Sequence, residues 1–181
     1  MPYLFLYAIT NRFPIFDPVQ IPMSNIDQSI PFIPLMIPIY ISYAAFIIIV
    51  IYRSKNDQEL TEIFYISHIQ LTICLVFYII YPVAFPREIY YSEYYITQIF
   101  IDFWNNIDGP NSCFPSMHTT NSCLAIHYSQ NKKYRGIFTA WGIIIIISTL
   151  TCKHHYIVDV MAGMLVYGAS IAIAKKMKII K

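Results

Sequence analysis

The stretch WGIIIIISTLTCKHHYIVDVMAGMLVYGASIAIA, residues 141–174, decides how the rest of the chain is read. It holds two apolar runs, and between them Lys153, His154, His155 and Asp159 crowd into seven positions. Each run approaches the roughly 20 residues that a helix needs to cross a bilayer. Ionisable side chains beside such runs are costly, and where they occur they mark a site. The stretch therefore predicts two spanning helices, 134–152 and 156–174, joined by a polar turn with a function of its own.

The remainder of the chain agrees. Of its 181 residues, 57% are hydrophobic and 12% charged, about half the ~25% charged content of a soluble domain. Further apolar runs of spanning length lie at 31–52 and 63–85. The segment 115–130 (PSMHTTNSCLAIHYSQ) is shorter and richer in Ser, Thr and Asn. Those groups are poorly tolerated against lipid, which predicts a helix inside the bundle. Residues 1–14 have no basic n-region and no small-residue cleavage site, so an interfacial or partly inserted helix is expected there rather than a signal peptide. The expectation is all-α: a polytopic membrane helical bundle of five to six transmembrane helices, forming a single domain over 1–181. No nucleic-acid partner is expected. Oligomeric state is not legible.

Tracing the spans alternately across the bilayer brings three distant segments to one face: YPVAFPRE (81–88), NSCFPSMHTTNS (111–122) and KHHYIVDV (153–160). The opposite face carries Arg53, Lys55, Lys132, Lys133, Arg135, Lys175, Lys176, Lys178 and Lys181, nine of the twelve basic residues. The positive-inside rule then puts the basic face in the cytoplasm. The polar cluster is expected at the periplasmic or exterior face of an inner or plasma membrane. Residues 88–107, with Ile96, Ile99, Phe100, Phe103, Trp104 and Ile107 at helical spacing opposite Thr97, Gln98, Asp102 and Asn105, read as a helix lying in that outer interface. The four cysteines have no CxxC spacing; Cys74 and Cys123 read as core residues, and a Cys113–Cys152 disulfide is left open.

The clustered residues suit phosphoryl transfer. His155 and Asp159, four apart, share one helical face. A carboxylate there can hold one imidazole nitrogen and leave the other as a nucleophile. His118 falls in the first turn of another helix. Pro115 suits the start of that helix, whose N–H groups near Ser116 and Met117 would face an anion. Arg87 and Lys153 supply positive charge for phosphate oxygens. His155 would attack, and His118 would protonate the leaving oxygen. A zinc site on His154, His155 and Asp159 is the competing reading, but adjacent helical residues point about 100° apart. No metal and no cofactor are expected, and His154 is read as supporting the site.

F-P-S-x-H-T at 114–119, followed by H-Y-x-x-D-V-x-A-G at 155–163, resembles the second and third motifs of the type-2 phosphatidic acid phosphatase superfamily. The resemblance implies a six-helix, metal-independent enzyme working through a phosphohistidine, with roles for Ser116, His118, His155 and Asp159. Five positions depart from the usual pattern. Met117 replaces the glycine of P-S-G-H, and Thr149 stands where an arginine is usual. Ile80 occupies a lysine position, and Pro86-Arg87 inverts R-P. Together with P-x-x-x-P-R and the opening IDQSIPFIPLMIPIYISY (26–43), these departures are similar to the branch that contains inositol phosphorylceramide synthase. The implied activity is removal of phosphate from a membrane lipid phosphate of the phosphatidate, phosphatidylglycerophosphate, polyprenyl pyrophosphate or lipid A type. The alternatives are headgroup phosphotransfer and an inactive lipid-binding member of the family.

Overall fold

The computed structural model describes residues 2–86, 91–130 and 132–180. Arg87 and residues 88–90 of the expected interfacial helix lie outside them. The described residues form an all-α bundle: α1 (Pro2–Arg12), α2 (Asn25–Ser29), α3 (Met36–Ile41), α4 (Tyr43–Tyr52), α5 (Asp57–Ile80), α6 (Tyr95–Ile107), α7 (Met117–Ser129), α8 (Arg135–Thr151) and α9 (Ile157–Lys176).

Helices α5 and α9 are long and apolar enough to cross a membrane, and α8 and the α3–α4 unit are shorter apolar helices. Their outward faces are apolar, with Ile48, Val76, Ile137, Ile147, Met161 and Leu165 exposed. In water such faces would drive aggregation; hydrocarbon accommodates them. The expected spans hold with shifted ends. One correction concerns 31–52, which is not one helix: Phe32 to Leu35 lie before α3, and the chain breaks again at Ser42. Pro34 and Pro38 account for the first irregularity, because each removes a backbone donor. Ser42 Oγ turns back onto the Ile39 carbonyl at 2.6 Å and accepts from Trp141 Nε1 at 2.9 Å, so the break is braced from α8.

The polar helix α7 is the centre of the bundle, packed on α4, α5, α8 and α9. Its His118, Thr119, Thr120, Ser122 and Ser129 are all buried, as its composition predicts. Helices α7 and α9 run parallel, with Ser116 N–H on the Asp159 carbonyl (3.1 Å) and Thr120 Oγ1 on the Gly163 carbonyl (3.0 Å). A Cβ at Gly163 would stand 2.7 Å from the Ser116 carbonyl oxygen and 2.9 Å from Thr119 Cβ. A small residue is therefore what lets the two backbones approach.

Extended segments around Val19, Val83 and Ser112 lie side by side, joined by single bridges, and cap the end of the bundle that holds the histidines. Along α6, Thr97 and Ile101 are buried while Ile96, Ile99 and Phe103 are exposed. The helix docks through Thr97, Ile101 and Trp104 and turns its apolar stripe outward. Thr97, expected on the polar face, is part of the docked one. Cys113 and Cys152 are not joined in a disulfide.

Candidate active site

The first turns of α7 and α9 meet where the turn after α8 delivers His154 and His155. That turn has a specific cause. Lys153 adopts a left-handed conformation (φ 57°), the geometry that commonly ends a helix. It lets the N–H groups of both His154 and His155 reach the Thr149 carbonyl, each at 3.2 Å. Thr149 bonds its own hydroxyl back to the Ile146 carbonyl at 2.7 Å. The position where the family's arginine is usual thus organises the backbone of this turn.

Asp159 sits in the first turn of α9 with no exposed surface. Its Oδ2 accepts from the Tyr156 N–H at 2.8 Å and lies 3.2 Å from His155 Nδ1. With the carboxylate on Nδ1, the proton belongs there and the Nε2 lone pair is left for chemistry. Asp159 Oδ1 is buried and has no hydrogen-bond partner among the described residues.

His118 faces this pair from α7, its ring centroid 5.9 Å from that of His155. It is held between aromatic rings: Tyr40 stacks on it at 4.4 Å and Tyr43 tilts against it at 4.5 Å. Tyr40 also stacks with His154 at 5.0 Å and makes a T-shaped contact with Trp104 at 5.1 Å. Ser116 caps α7, its Oγ accepting from the Thr119 N–H at 3.3 Å. The N–H groups of Met117 and His118 precede the first intrahelical acceptor, so this helix start presents donors toward the histidines. The pocket between them is about 10 Å³ and is lined by Tyr40, Cys113, Met117, His118, His154 and His155 among others. That is room for a single water molecule.

The structure thus brings together His118, His155, Asp159, Ser116 and Met117. It does not bring Lys153 to them. The Lys153 Nζ donates to the Asp27 carbonyl at 2.9 Å and so fastens the α2 segment. Asp27 completes that fastening: its carboxylate accepts from Ser24 Oγ (2.6 Å), the Ser24 N–H (2.9 Å) and the Ile157 N–H (2.8 Å). Burial pushes the Asp27 carboxyl up, but the Ser24 and Ile157 hydrogen bonds and the Lys153 charge outweigh it and hold the group below the ordinary carboxylate range. Sequence reading missed Tyr40, Tyr43 and Asp27. The signal for Asp27 was present as a Ser-x-x-Asp capping box at 24–27. Nothing local marked Tyr40, one of the chain's 16 tyrosines.

Cys113, His155 and Asp159 each offer a donor atom within 4.8 Å of the others. The Cys113 thiol is engaged with the carbonyls of Pro110 (3.1 Å) and His154 (3.4 Å).

Residues 35–173, which include every site residue described above except Asp27, match the PAP2 superfamily. The chain belongs to that superfamily. Both parts of the expected motif pair fall inside the matched region. Over 60 residues the chain is 45% identical to the uncharacterized protein MJ0662 of Methanocaldococcus jannaschii, a match covering 33% of this chain and 25% of that protein. The aligned region is thus about a quarter of the relative's length. No solved structure matches.

Proposed function

We propose that the protein is a lipid phosphate phosphatase that works through a phosphohistidine on His155, with its site at the periplasmic or exterior face of the membrane. The observation that carries the reading is the buried His155–Asp159 pair, with Nδ1 and Oδ2 3.2 Å apart, facing His118 across the start of α7. In the first step the His155 Nε2 lone pair attacks phosphorus, the bond from phosphorus to the lipid oxygen breaks, and His118 gives that oxygen its proton. In the second, water attacks phosphorus, the bond from phosphorus to His155 Nε2 breaks and leaves its electron pair on that nitrogen, His118 takes the water's proton, and phosphate leaves. The N–H groups at the start of α7 and the Arg87 guanidinium stabilise the equatorial oxygens. A pocket of about 10 Å³ is smaller than a phosphate group, so substrate entry displaces Met117 or Tyr40 from the pocket wall.

The same histidines serve headgroup transfer when an alcohol replaces water, so the test follows both products. Purified protein is incubated with phosphatidate, phosphatidylglycerophosphate and polyprenyl pyrophosphate, with and without inositol, and free phosphate and new phosphodiesters are measured. Phosphate release in EDTA without a new phosphodiester is expected. An inositol-dependent phosphodiester would make the protein a transferase. Loss of activity in EDTA with rescue by zinc would reassign Cys113, His155 and Asp159 to a metal.

The orientation rests on the sequence, in which nine of the twelve basic residues fall in segments traced to the face opposite the histidines. In intact cells a membrane-impermeant thiol reagent should label a Glu93→Cys variant and spare Lys133→Cys. The reverse pattern would put the site in the cytoplasm.

A further inference from the structure

Helices α4 and α5 are consecutive in the chain, yet each packs on α7 and they scarcely touch one another. The gap between them is a groove of about 380 Å³ whose floor is α7. Its walls include Tyr43 and Ile47 of α4 and Ser67 of α5, and its floor runs from Met117 through Asn121 to Ala125. Met117 lines this groove and also the histidine pocket. The two cavities are therefore neighbours separated by one flexible thioether side chain. Beside it stands a polar latch, Asn121 Nδ2 donating to the Tyr43 hydroxyl at 2.6 Å, with the Tyr43 ring against His118.

We propose that this groove holds one hydrocarbon chain of the substrate itself, and that Met117 is the partition over which the chain passes to place its phosphate at His155. The inference rests on the lipid-phosphate reading and adds to it a chain-length limit. Three observations select this occupant. The groove begins at the histidine pocket and runs away from it along α7, the direction in which the tail of a lipid lies when its headgroup is at the pocket. Met117 to Ala125 spans eight residues, about 12 Å of helix at 1.5 Å per residue. The groove, with a volume of about 380 Å³, has room for a chain lying along that length. The length fits one extended chain of on the order of ten carbons. Burying each methylene favours the bound state until the groove is full, after which added carbons extend into the bilayer and contribute nothing.

The test uses the purified full chain with butyl, octyl, dodecyl and hexadecyl phosphate and reads released phosphate. The relative kcat/KM should climb to dodecyl and then level. Ser67, in the middle of the groove wall, touches none of the reacting groups, so Ser67→Phe shortens the groove without entering the histidine pocket. It should leave butyl phosphate within about twofold of wild type and lower dodecyl phosphate on the order of tenfold. A profile indifferent to chain length, or equal losses on every substrate, would overturn the inference and leave the groove to bulk bilayer lipid. No phosphate release from any of the four would instead overturn the phosphatase reading. A dodecyl phosphate carrying a photoreactive diazirine at its terminal carbon gives a readout independent of turnover and of the variant's folding. Its label should fall on the α4, α5 and α7 residues lining the far end of the groove. Label confined to the outer apolar faces of α8 and α9 would reject it.

Discussion

Helices α7 and α9 lie parallel, and histidine, tyrosine and carboxylate side chains gather near each end of the pair. At one end His118, His155 and Asp159 are buried around a pocket of about 10 Å³. At the other, His127, Tyr128 and Glu62 line an open cavity of about 760 Å³ together with Lys175 and Lys178. The hydrogen bonds look alike: Tyr128 donates to Glu62 Oε2 at 3.0 Å, and His127 Nδ1 lies 2.8 Å from the Tyr167 hydroxyl. Solvent is what differs. In the open cavity water competes for every partner and screens every charge, so such contacts contribute little. In the closed pocket the carboxylate has no alternative to its protein partners, and its field on His155 is undiluted. The same residue types are thus a surface network at one end and a reactive pair at the other.

The largest test of this contrast removes the histidines at the two ends one at a time. His155→Ala should lower phosphate release by on the order of 10³-fold or more, since it removes the nucleophile. His118→Ala should cost ~10²–10⁴-fold through loss of the acid and base steps. His127→Ala, in the open cavity, should stay within about twofold of wild type. Detergent-solubilised yield and melting temperature check that all three variants fold. Comparable losses from His127→Ala would erase the distinction between the ends.

A smaller effect separates two glycines of α9. Gly163→Ala places a Cβ 2.7 Å from the Ser116 carbonyl oxygen, whereas Gly168→Ala meets no atom within 4 Å. The first should cost ~1–3 kcal/mol in a denaturant titration and depress activity by pushing the starts of α7 and α9 apart. The second should be neutral or stabilising by roughly 0.5–1 kcal/mol. Equal stabilities would mean that the close approach of α7 and α9 is not what holds the site.

The smallest effect is one of pH. Asp27 ties α2 to the start of α9, and its folded carboxyl titrates below the ordinary value. A depressed carboxyl contributes stability above the unfolded pKa of about 3.9 and loses it as pH falls through the folded value. Asp27→Asn should therefore melt below wild type at neutral pH, and the gap should narrow as pH drops below about 4. A gap that stays constant over that range would show that the Asp27 charge contributes nothing. The lysine end offers the control, because Glu62→Gln should leave the melting temperature nearly unchanged at both pH values.

The sequence by itself determined the class of the molecule and the central part of its site. Apolar runs of spanning length specify helices wherever the backbone must satisfy itself, and the polar make-up of 115–130 specified the innermost one. The spacing of His155 and Asp159 marked them as a pair, but His155 lies in the turn before α9, and the carboxylate reaching back from the first turn of that helix makes the contact. The break at Ser42 was less legible, since an apolar run of that length reads as one span until the proline positions and the bracing by Trp141 act together. What only the tertiary structure decided are contacts between segments with no sequence relation. Tyr40 became a ring stacked with both His118 and His154, and Asp27 the anchor of α9. Lys153 was read as a phosphate ligand because it is charged and close in sequence to His155. The left-handed turn that delivers His155 sends the lysine side chain to the Asp27 carbonyl. Local periodicity sets which residues share a helix face, whereas the direction of a side chain on a turn depends on the backbone around it and on the partner that packing supplies.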